Sequence, residues 1–239
     1  MKKALALVLV LVCVLALAGC SKGDTKSEGV MTYAEYTAAA LDSQVVVETY
    51  VQAKQSWWDN KATVYTQDKD GAYFLYNMAC SEADYDKLTP GTKIKVTGYK
   101  SEWAGEVEII NATFEIESGS YVAKTFDATS LLGKEDLIKH QNEFVTFKGL
   151  TVEAANDNGD AFLYNWDGSG EAGGDSDLYF NASANGNTYT FVIEYYLCNE
   201  NSAAYQAVQN LKVGDKIDLE GFLYWYEGAQ PHITSVTVK

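Results

Sequence analysis

The sequence contains no arginine. All 18 basic residues are lysines, set against 33 aspartates and glutamates, for a formal charge of −15. Arginine is the side chain whose planar fork best matches phosphates and guanine edges, and a strongly acidic surface repels a polyanion before contact. The composition therefore disfavours nucleic acid as a partner. Histidine is scarce as well. His140 and His232 are the only two, far apart and with no cysteine or carboxylate at zinc-ligand spacing. There is no G-x-S-x-G nucleophile motif and no glycine loop closed by Lys-Ser/Thr to cradle a phosphate. Carboxylates are plentiful, but nothing in their spacing singles out an acid/base pair. The expectation is a non-enzymatic protein that needs no cofactor and no metal.

Calcium loops of the EF-hand type are excluded by position. Such a loop needs oxygen donors at its first, third and fifth residues and Glu at the twelfth. In "TQDKDG" and "AANDNG" the first positions are Thr66 and Ala154, and the twelfth are Asn77 and Asn165. A looser set, Asp167, Glu171, Asp175 and Asp177, stays open, although Gly/Asp runs are usually solvated turns. Cysteine is sparse too, at four residues. Cys80 and Cys198 each end an apolar run and read as buried free thiols rather than a disulfide, since equivalent positions in two separate domains rarely come within bonding distance.

Two of those cysteines belong to the start of the chain. "MKKALALVLVLVCVLALAGC" has a basic head at Lys2 and Lys3, an apolar run from Ala4 to Ala18, and small residues before Cys20. The run is short for a membrane span and has the layout of a secretory signal. "LAGC" resembles a bacterial lipobox. That resemblance implies cleavage after residue 19, acylation of Cys20, and attachment to the membrane through the lipid anchor only. The expected location is extracytoplasmic, on the cell envelope. Residues 20–30 are small and polar, a flexible tether.

What the rest does contain is a repeat. "LTPGTKIKVTGYKSEWAG" (Leu88 to Gly105) and "LKVGDKIDLEGFLYWYEG" (Leu211 to Gly228) share one grammar. A hairpin signal precedes each: "ATVYTQDKDGAYFLYNM" with Asp-Gly, and "DLYFNASANGNTYTFVIEYY" with Asn-Gly. A short helix-like segment separates hairpin from shared stretch. Earlier strands, Gln44 to Ala53 and Glu143 to Ala154, each follow an apparent helix. In the shared strand, Ile94 and Val96, or Ile217 and Leu219, line one face, while Gly98 and Gly221 mark sharp bends.

Each unit thus reads as five strands with a helix between the third and fourth, the order of an OB-fold barrel. The shared motif resembles the fourth strand of bacterial OB-fold proteins, secreted lipoproteins among them. The expected fold is mainly β: two tandem five-stranded OB-fold-like barrels with short helices before strand one and between strands three and four. The domains would be residues 31–118 and 129–239, joined by a linker at 119–128. The second carries an inserted loop at 156–177, with an extra strand at "AFLYNW".

OB barrels recognise oligonucleotides and oligosaccharides on strands two and three and on the loops joining strands one to two and four to five. Trp57 and Trp58 fall in the first such loop of the first repeat, and Trp103 in its four-to-five turn. Trp225 lies in the matching turn of the second repeat between Tyr224 and Tyr226, and Trp166 in the insertion. These seven residues are the expected ligand-binding set. Trp103 and Trp225 could equally cap a barrel mouth. The adjacent Trp57 and Trp58 cannot both point into one core. Residues 44–118 hold 7 lysines and 12 acids, and residues 143–239 hold 4 lysines and 14 acids. With no basic groove, the expected partner is a glycan or a protein. The alternatives are a single-stranded nucleic-acid binder and a structural subunit of an envelope complex.

Overall fold

The computed structural model describes residues 25–239; the segment expected to be a signal peptide and the expected acylation site Cys20 lie outside the described residues. The first repeat opens with a one-and-a-half-turn helix α1 (Tyr33–Ala38), started by a capping box in which Thr32 and Glu35 satisfy each other's backbone N–H groups. Strands β1 (Gln44–Lys54), β2 (Lys61–Gln67), β3 (Ala72–Ala79), β4 (Thr92–Trp103) and β5 (Glu106–Ser120) follow. Helix α2 (Glu82–Tyr85), capped by Ser81, sits between β3 and β4. The strands close in the order β1-β2-β3-β5-β4, with β3 and β5 parallel and all other neighbours antiparallel.

The second repeat begins with a two-residue strand β6 (Phe126–Asp127) and two 3-10 turns, Thr129–Leu131 and Glu135–His140. The leading helix takes this tighter form around Gly133, whose φ of +76° is outside the helical range and whose Cα faces the Tyr189 hydroxyl. Then come β7 (Phe144–Glu153), β8 (Phe162–Tyr164), β9 (Leu178–Ala184), β10 (Asn187–Ile193), α3 (Ala203–Gln209), β11 (Lys216–Phe222) and β12 (His232–Val238). Pairing of β7 with β9 closes β7-β9-β10-β12-β11 into a second barrel with the same order as the first. β8, from the insertion, adds to β9. The Asn185-Gly186 turn has φ of +53° and +82°, as a two-residue hairpin requires.

The period-two pattern of the shared strand does what alternation predicts. Ile94, Val96, Ile217 and Leu219 are fully buried in their own barrels. Gly98 and Gly221 mark close approaches between strands: a Cβ on Gly98 would lie 2.6 Å from Ile109, and one on Gly221 would lie 2.2 Å from the carbonyl oxygen of His232. The ladder also slips beside each of them.

The two barrels are packed against each other. Tyr65 on β2 and Phe74 on β3 point away from their own core and meet Phe222, with Phe144, Leu197 and Tyr224 at the edge. Tyr65 stacks on Phe222 at 4.5 Å and its hydroxyl bonds His232 Nδ1 at 2.7 Å. Phe144 N donates to Gln67 Oε1, Gln141 Nε2 to the Gly105 carbonyl, Asn142 Nδ2 to the Val107 carbonyl, and Trp225 N to Glu106 Oε2. Part of the first barrel's strand-two/three face is thereby covered by its own sister barrel.

Candidate ligand clefts on the barrel rims

The uncovered remainder of that face is a cleft of about 560 Å³ lined by Gln55, Ser56, Trp57, Trp58, Lys61, Thr63, Tyr76, Asn77 and Tyr196. Its lip is a tight turn. Trp58 and Lys61 pair across Asp59 and Asn60, both at positive φ, and exchange backbone hydrogen bonds. The adjacent tryptophans divide as their geometry demands. Trp57 turns inward and its Nε1 donates to the Cys80 carbonyl at 2.9 Å, whereas Trp58 is 64% exposed. Tyr76 on β3 and Tyr196 after β10 present two more exposed rings. Ser56 N donates to the Tyr196 carbonyl, which fixes the second barrel's contribution. No carboxylate lines this cleft. Lys61 does, with its Nζ 5.7 Å from the Trp58 ring and 3.6 Å from Asp59 at the outer edge.

A second, neighbouring cleft of about 630 Å³ is lined by Trp103, Trp166, Asp177, Tyr179, Glu194, Tyr224, Tyr226, Glu227, Gln230 and His232. The end of β4, the insertion, β9 and the β11–β12 loop converge here. Four of the expected binding residues, Trp103, Trp166, Tyr224 and Tyr226, are therefore brought together. The carboxylates are held by main-chain donors: Asp177 Oδ1 by Tyr195 N, and the Glu194 oxygens by Tyr196 N and Leu197 N. Burial pushes the Glu194 carboxyl up to about 7, aided by Asp177, and raises Asp177 as well. Burial also pushes the His232 imidazole down to about 3. With Nδ1 on Tyr65 and its ring stacked on Tyr224 at 4.2 Å, His232 is a neutral structural group.

Trp225 parts from the others. It is half-buried against the second core, with its indole over Gly105, and it lines a small separate hollow with Leu132, Tyr189 and Pro231. Sequence reasoning missed Tyr76, Tyr179, Tyr196 and Glu194, and it named Asp177 only within the looser acidic set. Tyr76 had a legible signal: it lies on strand three, on the face such barrels use, beside outward-facing Phe74. Asp167, from the looser acidic set, has its Oδ1 engaged by Ser169 N, and no group of three metal-type side chains is found among the described residues. Cys80 and Cys198 are both free and buried, and burial pushes each thiol up to about 11. No helix among the described residues is long and apolar enough to cross a membrane.

The fold and its rims define a class: a tandem OB-fold protein with aromatic clefts. No protein-family model and no curated protein matches the chain. Solved structures do. The Ifi202 HINa domain in complex with 20bp dsDNA is 14% identical over 83% of this chain and 96% of its own, with a TM-score of 0.34. The p202 HIN1 domain in complex with 12-mer dsDNA is 12% identical over 81% and 91%, also at 0.34. A Replication Protein A heterotrimer bound to ssDNA is 9% identical over 82% of this chain and 49% of its own, at 0.28. At these identities the likeness is one of fold.

The partner expectation needs correction. HIN domains complexed with DNA stand among the similar structures, and the inference from net charge that nucleic acid is disfavoured is withdrawn. Its physical flaw is that formal charge belongs to the whole chain. The acids are not spread evenly over the recognition surface, and the first cleft is lined by a lysine and no carboxylate.

Proposed function

We propose that the chain is a non-catalytic OB-fold binding protein whose first cleft holds single-stranded nucleic acid by stacking bases on Trp58, Tyr76 and Tyr196. The observation that supports it most is the placement of this cleft. It lies on the open part of the strand-two/three face, beside the one-to-two loop, with three exposed rings and Lys61 in place of acids. Every base offers a π-face, and stacking contributes about 1–3 kcal/mol per base. The reading includes acylation of Cys20 and an extracytoplasmic, lipid-anchored location, tested by mass spectrometry of the mature N-terminal peptide.

The test is a tryptophan-fluorescence titration of the soluble chain with short single-stranded oligonucleotides at several salt concentrations. With one lysine in the cleft, the logarithmic salt slope is expected to be shallow, about −0.7. Trp58→Ala should weaken binding by the stacking energy of one base. A second reading, a neutral oligosaccharide lying on the same rings, is favoured by the absence of arginine from the whole chain. It predicts binding that does not change with salt. Oligonucleotides that fail to quench at low salt would refute the first reading.

A further inference from the structure

The second cleft has a different chemistry, and we propose that it is a binding site for a small organic ammonium ion. Five rings surround it: Trp103, Trp166, Tyr179, Tyr224 and Tyr226. The face of an aromatic ring is the negative part of its quadrupole, so a cation over it is attracted. The charged side chains lining the same cavity are Asp177, Glu194 and Glu227, all acids. No lysine lines it. The one basic residue, His232, is buried, bonded through Nδ1 to Tyr65 and stacked on Tyr224, which leaves it neutral. Rings and carboxylates therefore ask for the same occupant.

The geometry also selects the kind of cation. Main-chain N–H groups of Tyr195, Tyr196 and Leu197 hold Asp177 and Glu194 in place, so these carboxyl groups are fixed in position rather than free to swing. A cavity of about 630 Å³ walled by rings suits a bulky, weakly hydrated head such as trimethylammonium better than a small metal ion, which would demand more oxygen ligands than three spread carboxylates provide. Burial without a counter-charge holds Asp177 and Glu194 above the usual carboxylate range. An ammonium ion supplies that charge, so its entry releases protons near neutral pH.

This site is separate from the first cleft, although Gln55, which lines the first, hydrogen-bonds Glu194. The experiment titrates the soluble chain with choline, with tetramethylammonium, and with 3,3-dimethylbutan-1-ol, the neutral carbon isostere of choline, following tryptophan emission and heat. The expected result is saturable binding of both cations, with the neutral isostere weaker by about tenfold or more. Trp166→Ala and Glu227→Gln, both at exposed positions, should each weaken choline by about three- to tenfold. Trp58→Ala, in the other cleft, should leave it unchanged, so failure here and failure of the nucleic-acid reading are distinguishable. Heats measured in two buffers should differ in proportion to the protons released. Equal affinity for choline and its neutral isostere, or no saturation with any of the three compounds, would overturn the proposal.

Discussion

Raising the pH from 6.5 to 8.5 should loosen the joint between the barrels, and one residue carries most of the effect. Glu106, the first residue of β5, is fully buried where the barrels meet. Its Oε2 accepts from Trp225 N at 2.9 Å, while Oε1 and the Asn142 Oδ1 are both buried acceptors without a partner. A protonated carboxyl becomes a donor and relieves that mismatch; an ionised one does not. Burial pushes Glu106 up to about 8, opposed by the neighbouring Asn142 side chain and by the hydrogen bond from Trp225 N. An acid whose folded value lies above its unfolded value stabilises most when both states are protonated. That stability is lost as pH rises towards the folded value.

At about 1.36 kcal/mol per pH unit, the whole interval from 4.5 to 8 corresponds to about 5 kcal/mol. Only part of it is cleanly observable. His232, pushed down to about 3, contributes with the opposite sign: its stability is complete above about 6.5 and is lost as pH falls. Below 6.5 the two slopes offset each other. Between 6.5 and 8 Glu106 acts nearly alone, and the loss is about 2 kcal/mol; Glu194 adds to it up to about pH 7. Urea unfolding at pH 6.5 and 8.5 measures the difference. Glu106→Gln keeps an acceptor for Trp225 N and supplies an amide donor where the proton sat, so the variant should lose most of the slope. Equal stability of the parent at the two pH values, or an unchanged slope in the variant, would refute the reasoning.

Three further outcomes follow from the packing. Tyr65→Phe removes the hydroxyl bonded to His232 Nδ1 at a buried site and should cost about 1–3 kcal/mol, read as a lower urea midpoint with an unchanged m-value. Gly221→Ala places a methyl group 2.2 Å from a carbonyl oxygen of the neighbouring strand, so thermal melting should fall by the equivalent of about 1–3 kcal/mol. Trp57→Ala should destabilise, because its ring is partly buried and its Nε1 is bonded to Cys80, whereas Trp58→Ala should stay within about 0.5 kcal/mol of the parent. Equal losses at the two tryptophans would show that the division between packing and recognition is misplaced.

The doubling of the barrel was legible because its signals are local: Asp-Gly and Asn-Gly turns, period-two alternation in Ile94 and Val96, and a glycine where strands crowd. The joint between the barrels was not legible, and β2 shows why. All but its first residue are buried, yet the written pattern "KATVYTQ" alternates as if one side faced water. Tyr65 occupies an outward position and is fully buried because the sister barrel covers it. Nothing in a single sequence distinguishes an outward tyrosine awaiting solvent from one awaiting Phe222. Charge failed for a related reason: counting acids gives a sum, and recognition depends on where they stand. The aromatic clefts were half legible. Trp103 and Trp166 were placed by motif and insertion, but Tyr179 joins them, and Tyr196 joins Trp58, only after β9 and β10 fold against the first barrel.

The covered strand-two/three face also sets limits on how such a gene can be cut. Each half is a complete barrel by topology, but the first would emerge from the ribosome with Tyr65 and Phe74 bare, an oily patch with no owner until the second half is made. Halves expressed apart should seek each other, or their own copies. The pair therefore resembles a heterodimer of two related barrels written onto one strand of message, with the stoichiometry fixed in the gene rather than left to concentration.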